Sequence, residues 1–267
     1  MACDEGTNCP VCGGSIWRAI ISGSDFRIEE CLRACVGRTV PPPVLSGPDM
    51  PAKGSTECPQ DGISGSFKFA RHLLEIVKEH QPSGRLLDIG SGLGHLVRVA
   101  LDMGYDAVGL DVSPDAVEFA GSALGVNLIQ SSFPAYEFEA ASFDVIIMKH
   151  VLEHFPEPSG AISEGVRILK PGGLLAVSAP DFGSLMRRVK GARWYGLQPS
   201  QHVWQLSMRS ILELVRGAGL TPIVARRSNL EYPRGSRPFQ KWLMLRFMLM
   251  IADLFGMGDN AIVLARK

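Results

Sequence analysis

The chain has 267 residues, enough for one large domain or for an ordinary domain and a small module. With 46% hydrophobic and 20% charged residues, its composition is typical of a soluble globular protein with a substantial core. The 27 Lys and Arg residues balance the 27 Asp and Glu residues, so no overall field draws the chain to nucleic acid or to an anionic membrane. We find neither a secretory signal nor the roughly 18 consecutive apolar residues of a membrane span, and expect a cytoplasmic protein.

The first 40 residues carry two cysteine pairs, Cys9-x2-Cys12 and Cys31-x3-Cys35, separated by residues 13–30. Six cysteines in a chain without a secretory signal favour metal binding over disulfides. We therefore predict a zinc-ribbon-like module over 1–40, with one structural zinc held by these four thiolates. The second pair is one residue longer than usual, which indicates a distorted or decayed site; the alternative is free cysteines in a disordered leader.

Residues 41–66 are rich in Pro, Gly and Ser and predict a linker. From residue 67 onward, short apolar runs alternate with amphipathic segments of 10–15 residues, which indicates an α/β domain over 67–267. The runs are continuously apolar, as in parallel strands that helices cover on both faces. The predicted strands are 84–90, 105–111, 126–130, 143–149, 174–180, 220–228 and 261–267. The predicted helices are 67–80, 95–104, 113–124, 159–173, 207–219 and 242–255.

The stretch LLDIGSGLGHL, 86–96, places glycines 90, 92 and 94 between a buried strand and a helix. Glycines at this point permit a tight turn and let a ligand approach the backbone at a helix N-terminus. The dinucleotide fingerprint G-x-G-x-x-G is incomplete, because His95 stands where its third glycine would be. Asp111 ends the next predicted strand, where a carboxylate would accept the ribose hydroxyls of a nucleoside ligand.

Asp88-x-Gly-x-Gly-x-Gly followed by the strand-terminal Asp111 resembles the class I S-adenosylmethionine-dependent methyltransferases. Three later segments resemble the subgroup that includes ubiquinone-biosynthesis-type O-methyltransferases: FDVIIMKHVLEHFPEP, RILKPGGLLAVSAP and HVWQLSMRSILELVRGAGL. The resemblance covers 67–267. It implies a Rossmann-like sheet that is mostly parallel with an antiparallel last strand, and S-adenosylmethionine as cofactor.

The resemblance also implies roles for individual residues. Gly90, Ser91 and Gly92 would pack against the methionine portion of the cofactor, and Asp88 would orient its ammonium group through water. Asp111 would bind the ribose. The remaining residues expected to bind the cofactor are Gly94, Val112, which would line the adenine, Ser132 and Phe133 in the loop where the family contacts the adenine amine, and Lys149. The alternative for the glycines is an ordinary strand–helix turn.

His150, Glu153 and His154 spell H-x-x-E-H, which on a helix is a zinc-peptidase signature. Here the letters follow a buried strand and precede Pro156 and Pro158, which allow one short turn and no metal-bearing helix. Three interpretations remain: Glu153 and His154 shape the loop, His150 faces the acceptor as a polar contact or base, or all three hold a divalent metal. Some quinone-type relatives use such a metal site but have an acidic residue in the place of His150.

His202 lies in a predicted loop beside Trp194, Tyr195 and Trp204. Relatives often carry a His here, close to the methyl donor, where it could act as a base on an acceptor hydroxyl. The alternative is a His that packs on Trp204 or caps the helix that begins near Ser207. The candidate catalytic residues are therefore His202 and His150.

The function that we expect is methyl transfer to a small-molecule acceptor, with a hydroxyl oxygen as the expected attacking atom. The alternatives are a non-catalytic binding or scaffold protein that kept the cofactor fold, or a methyltransferase acting on protein or RNA. The basic segment 187–193 predicts a solvated helix end, so we expect no nucleic-acid partner. The apolar helix 242–255 predicts a core or interface helix, with weak peripheral contact with a membrane as the alternative.

Overall fold

A computed structural model describes residues 8–44, 60–228, 243, 247 and 258–267, with side chains in the second range from Ser66. These residues form two sheets. The larger has seven strands in the order β10-β11-β8-β7-β4-β5-β6, and the smaller has four in the order β1-β2-β3-β9. The strands of the larger sheet are β4 (Arg85–Ile89), β5 (Asp106–Asp111), β6 (Leu128–Gln130), β7 (Phe143–Lys149), β8 (Leu169–Pro180), β10 (Thr221–Ser228) and β11 (Asn260–Arg266).

Five strands of the larger sheet, β4 to β8, run parallel, and β11 lies antiparallel between β8 and β10. This topology confirms the predicted fold: a Rossmann-like sheet with an antiparallel last strand. Strand β7 shows why its sequence is continuously apolar. Val145 and Ile147 pack into the core on one face of the sheet, and Ile146 and Met148 pack into the core on the other.

Six helices are described: α1 (Gln60–Lys78), α2 (His95–Asp102), α3 (Pro114–Leu124), α4 (Pro158–Ile168), α5 (Leu185–Lys190) and α6 (Met208–Gly217). Helix α3 begins as its sequence predicts, since the Ser113 hydroxyl accepts a hydrogen bond from the Ala116 N–H at 3.3 Å and Pro114 is the first helical residue. Helix α1 begins seven residues before the predicted start, within the range 41–66 assigned to the linker; residues 45–59 lie outside the described ranges.

The segment Pro171-Gly172-Gly173 was expected to close a helix, and the structure corrects this expectation. Helix α4 already ends at Ile168, and the Pro-Gly-Gly segment lies inside strand β8. It forms a bulge, since Phe143 pairs with Leu169 while Val145, only two residues on, pairs with Leu174. The positive φ of Gly172, 77°, allows the chain to make that detour.

The smaller sheet joins the N-terminal module to a segment of the α/β domain. Its strands β1 (Trp17–Ser22), β2 (Arg27–Cys31) and β3 (Gly37–Val40) come from the N-terminal module, and β9 (Trp204–Gln205) comes from the segment that precedes α6. Arg38 pairs with Trp204, while the Thr39 hydroxyl donates a hydrogen bond to the His202 carbonyl at 2.6 Å. The module predicted over 1–40 is therefore built into the same sheet as residues of the α/β domain.

Of the predicted helix 242–255, only Leu243 and Phe247 are described. Both are helical, and both side chains are more than half exposed. The rest of that segment lies outside the described ranges. Among the residues that the structure describes, no helix is both long enough and apolar enough to span a membrane.

Candidate active site

The loop that follows β4 makes its turn with three glycines at positive φ: Gly90 at 67°, Gly92 at 53° and Gly94 at 80°. A Cβ on Gly90 would lie 2.4 Å from Cγ2 of Val151, so the chain passes too close to its neighbour for any side chain. A Cβ on Gly92 would meet nothing within 4 Å. The backbone of Gly92 therefore borders open space at the carboxyl end of the sheet, where α/β folds bind their ligands.

Asp111 ends β5 directly beside this loop. Its Oδ2 accepts a hydrogen bond from the Gly92 N–H at 2.7 Å, and its Oδ1 accepts one from the Ser113 N–H at 3.0 Å. Two backbone donors therefore fix the plane of the carboxylate, and each oxygen keeps a lone pair for a further donor. This arrangement suits a ligand with two adjacent hydroxyls, such as a ribose.

Asp88 lies one strand residue before the loop and is completely buried. Neither of its carboxylate oxygens has a hydrogen-bond partner among the described residues. Burial raises the pKa of Asp88 to about 7; the positive charge of Lys149 opposes this rise and the negative charge of Asp111 adds to it. A buried, unpaired carboxylate is costly, and a cationic donor entering the site would relieve that cost.

Lys149 ends β7, and its Nζ lies 5.9 Å from the centre of the Phe69 ring. Burial lowers the pKa of Lys149, and the carboxylates of Asp88 and Glu153 act in the opposite direction. Lys149 is thus close enough to interact with both carboxylates, that of Asp88 before the glycine loop and that of Glu153 after β7.

The residues expected around an adenine also lie at this edge. Val112 follows Asp111 directly, and the Ser131 N–H donates to the Asp111 carbonyl at 3.0 Å, which holds the 131–133 loop beside β5. Ser132 is exposed, whereas Phe133 is buried and its ring centre lies 6.2 Å from that of Phe155. The loop therefore offers an apolar ring and a hydroxyl, but no acidic side chain at Ser132.

These observations fit S-adenosylmethionine. A carboxylate without a partner matches the ammonium of the methionine portion, an open glycine backbone leaves room for that chain, and the fixed carboxylate of Asp111 matches the ribose. Asp88 lies on β4, Gly92 in the loop that follows it and Asp111 at the end of the adjacent parallel strand β5, so one extended ligand can reach all three.

The H-x-x-E-H letters form a single 3-10 turn over Leu152–His154, directly after β7. This confirms that they do not lie on a metal-bearing helix. His150 has a φ of 53°, an uncommon value for a residue other than glycine, and such strain concentrates at functional sites. It turns the His150 side chain towards the turn, where Nδ1 lies 3.7 Å from Oε1 of Glu153.

Glu153 is buried, and the structure brings His202 to the same carboxylate: Nε2 of His202 lies 3.9 Å from Oε1 of Glu153. Nδ1 of His202 lies 2.9 Å from the Gly196 carbonyl, which assigns the proton of a neutral ring to Nδ1. The two candidate catalytic histidines, far apart in sequence, therefore flank one carboxylate. His150 is the more accessible, with 15% of its side chain exposed against 2% for His202.

His154 belongs to the same cluster. Its Nδ1 lies 2.9 Å from the Gln201 carbonyl, and its ring centre lies 5.0 Å from that of His202. Donor atoms of Glu153, His154 and His202 all lie within 4.8 Å of one another, a spacing that could hold a metal ion. The sequence suggested a ligand set of His150, Glu153 and His154, whereas the structure has His202 in the place of His150. Nothing in the local sequence pattern links residue 202 to the turn.

In the N-terminal module, the thiols of Cys9, Cys12 and Cys31 lie within 4.8 Å of one another, and the Cys12 and Cys31 sulfurs are 3.6 Å apart. Cys35, expected as the fourth ligand, is not in this group. The structure thus brings together three of the four cysteines that the sequence predicts as ligands. Cys3 and Cys58 lie outside the described ranges.

The order of the strands, the glycine loop and the two strand-terminal carboxylates define a class I nucleoside-binding α/β fold. A family model described as "Methyltransferase domain" matches residues 66–225, and the chain belongs to that family, the class I S-adenosylmethionine-dependent methyltransferases.

Two named relatives give the scale of the similarity. The chain is 31% identical over 150 residues to a ubiquinone biosynthesis O-methyltransferase of Cereibacter sphaeroides, which covers 52% of this chain and 61% of that protein. It is 35% identical over 101 residues to an uncharacterized methyltransferase of Mycobacterium tuberculosis, covering 36% of this chain and 40% of the relative. The chain thus matches less than two thirds of the length of each of these relatives, 61% of the first and 40% of the second.

Solved structures show the same fold. A possible histamine N-methyltransferase from Thermotoga maritima matches with a TM-score of 0.55 at 21% identity, over 76% of this chain and 91% of that one. The [4+2]-cyclase SpnF matches with a TM-score of 0.54 at 26% identity, over 74% of this chain and 80% of that one. The fold alone does not specify the reaction, which depends on the side chains of the site.

Proposed function

We propose that this protein transfers the methyl group of S-adenosylmethionine to a small-molecule acceptor, at a hydroxyl oxygen. The observation that carries the proposal is the buried carboxylate of Asp88, without a hydrogen-bond partner among the described residues, beside the open backbone of Gly92. The cofactor supplies a methyl group already activated on a sulfonium, so the work left to the protein is placement and exclusion of water.

On the cofactor side, Asp88 holds the ammonium of the methionine portion and Asp111 holds the ribose hydroxyls. Gly90, Ser91, Gly92 and Gly94 form the loop against which the methionine portion packs. Lys149 supplies positive charge on the same side. The adenine contacts Val112, Phe133 and Ser132.

On the acceptor side, the residues after β7 and the segment around His202 form the wall of the pocket. His150 faces the acceptor and takes the proton from its hydroxyl as the methyl group moves. Glu153 orients the His150 ring through Nδ1, and His202 is enclosed behind the same carboxylate. An acceptor hydroxyl is supported by the name of the O-methyltransferase relative, and by a histidine–carboxylate pair at the end of β7.

The N-terminal cysteine cluster has a separate role in this proposal. It holds a zinc ion that stabilises the small sheet and takes no part in methyl transfer. The small sheet contacts the α/β domain through β9, and the cofactor loop is not part of that sheet.

Calorimetry with S-adenosylmethionine and with the demethylated product tests the cofactor half of the proposal. We expect the cofactor and its demethylated product to bind at micromolar concentrations. The absence of binding below millimolar concentrations would refute the proposal that the protein is a methyltransferase. Transfer of a labelled methyl group to a panel of phenols, catechols and aliphatic alcohols then tests the acceptor half. Cofactor binding without transfer to any acceptor class would favour the non-catalytic alternative.

The roles of the histidines are tested by His150→Gln and His202→Gln, with the exposed His72→Gln as the matched control. We expect His150→Gln to lower kcat at least 100-fold, in line with loss of a general base, and to remove the acidic limb of the pH–rate profile. His202→Gln should lower kcat less and keep that limb. Equal activity of His150→Gln and His72→Gln would exclude His150 as the base.

A further inference from the structure

The N-terminal cysteine cluster is built from two turns that follow the same plan. The first is Cys9–Gly13 and the second is Cys31–Cys35. In the first, the backbone N–H groups of Val11 and Cys12 point at the thiol of Cys9. In the second, the backbone N–H groups of residues 33 and 34 point at the thiol of Cys31 in the same way. Amides arranged in this manner favour a thiolate, as in a metal-binding knuckle, and at Cys9 they partly offset the burial that raises its pKa to about 12.

The two turns also share a left-handed residue at their fifth position. Gly13 has a φ of 68°, and Cys35 has a φ of 49°. Superposing the turns position by position therefore places Cys35 on Gly13, and Ala34 on Cys12. The residue in the place of the second ligand of the second turn is an alanine.

The side chain at the fifth position does not point at the cluster. A Cβ built on Gly13 would meet nothing within 4 Å, whereas one on Gly14 would lie 3.3 Å from Sγ of Cys12. Cys35, in the position equivalent to Gly13, has its thiol outside the three-cysteine group.

Ala34 occupies the inner side of the second turn. It is completely buried and packs in the same apolar cluster as Cys9 and Cys31. Cys12, by contrast, is exposed, so solvent reaches the edge of the three-thiolate group.

We propose that Cys9, Cys12 and Cys31 bind one zinc ion through three thiolates, and that its fourth position takes an exchangeable external ligand, either water or a small soft donor such as imidazole or a thiol. This inference rests on the metal occupancy proposed above and assigns its ligand set. Zinc prefers four ligands in a tetrahedron, and sites with three protein ligands keep the fourth for an exchangeable group. Binding breaks three S–H bonds and releases three protons to the solvent, leaving a centre of net charge −1 before the external ligand is counted.

X-ray absorption at the zinc edge of the full chain gives the ligand count directly. We expect one zinc per chain, with three sulfur atoms at about 2.3 Å and one nitrogen or oxygen at about 2.0–2.1 Å. The cobalt-substituted protein should change its visible spectrum when imidazole is added, because the fourth ligand is replaced.

Three variants separate the ligands from their neighbours. Cys31→Ser should lose the metal, whereas Cys35→Ser should keep both the metal content and the three-sulfur count. The double variant Ala34→Cys, Cys35→Gly restores the plan of the first turn, and should give four sulfur atoms and a cobalt spectrum that no longer responds to imidazole. This last variant gains a ligand, so its result does not depend on a destabilised protein.

Four sulfur atoms in the wild-type protein would overturn the open position. A fall to three in Cys35→Ser would then identify Cys35 as the ligand, and a fall in Cys3→Ser or Cys58→Ser would identify a thiolate from outside the described ranges. Protein that binds no metal would overturn both this inference and the proposed zinc. Neither result would touch the proposed methyl transfer, which calorimetry with S-adenosylmethionine tests independently.

Discussion

Replacing Asp88 by Asn should raise the free energy of unfolding of the cofactor-free protein and lower its affinity for S-adenosylmethionine. Burial raises the pKa of Asp88 to about 7, against about 3.9 for an exposed aspartate. At about 1.4 kcal/mol per pKa unit, keeping this buried carboxylate ionised costs the folded state about 4 kcal/mol. Asparagine has nearly the same shape and no charge, but its buried amide costs about 1–3 kcal/mol if unpaired. We therefore expect a net gain of about 2 kcal/mol at pH 8.

The gain should depend on pH with a defined sign. Because the folded-state pKa is the higher one, the folded state binds more protons than the unfolded state between about pH 4 and pH 7. Wild-type stability therefore falls as the pH rises through this window, and the advantage of Asp88→Asn grows over the same range. Below pH 4 the carboxyl is neutral in both states and the advantage should vanish.

Urea unfolding of the cofactor-free proteins at several pH values measures this difference, and calorimetry with S-adenosylmethionine should show at least a tenfold loss of affinity in Asp88→Asn. Asp144→Asn is the matched control. Partial burial would raise the pKa of Asp144, but the bonds from Lys170 and from the Arg85 N–H outweigh it and lower the pKa. This control should therefore lose stability at neutral pH. An Asp88→Asn protein that is less stable than wild type at pH 8, or equally stabilised at pH 4 and pH 8, would refute the reasoning.

Two further changes test the loop and the strand ends. Gly90→Ala should lower the free energy of unfolding by about 1–3 kcal/mol, because Gly90 has a positive φ and the added methyl group would collide with Val151. Gly121 is exposed, lies in a helix and has open space around it, so Gly121→Ala should raise the free energy of unfolding by about 0.5–1 kcal/mol. Similar unfolding midpoints for these two variants would contradict the close approach at Gly90. Asp181→Ala should lower the free energy of unfolding by about 3 kcal/mol, measured by thermal unfolding. The buried Asp181 carboxylate accepts hydrogen bonds from the N-terminal amide of α6 at 3.0 Å and from Arg227 Nε at 2.5 Å. A loss under 1 kcal/mol would show that water replaces the carboxylate as the acceptor for both donors.

Local patterns predicted most of the larger sheet and the cofactor loop. The turn from β4 into α2 needs glycines at positive φ, and the start of α3 needs the Ser113–Pro114 cap. Both features are therefore encoded by residue types within a few positions of each other in the sequence. Asp111 was predictable for the same reason, because a strand-terminal position can be read from the apolar run that precedes it.

Contacts between distant segments could not be predicted in this way. The Val203 N–H donates to the Glu153 carbonyl at 3.0 Å, and Trp204 Nε1 donates to the Pro156 carbonyl at 3.1 Å. These two bonds bring His202 to Glu153, and neither donor differs from any other backbone or indole N–H in the sequence. Strand β9, two residues long, has no periodicity to detect.

The cysteine spacing shows a different limit. Counting from Cys31, the sequence offers Cys35 as the natural fourth ligand, but the side chain of a residue depends on its backbone conformation as well as its position. Cys35 has a left-handed φ, as does Gly13 at the equivalent position of the first turn, where a Cβ would point into open space. A side chain at this position therefore points away from the other three cysteines.

The pairing of β3 with β9 ties the N-terminal module to the segment that carries His202. Thr39 holds the His202 carbonyl with its hydroxyl, and its N–H donates to the Val203 carbonyl at 3.0 Å. A chain trimmed at residue 66, where the family match begins, would lose Thr39 and with it the outer support of the segment that carries His202. The structural unit around His202 therefore extends beyond the residues that the family model matches, into the N-terminal sheet.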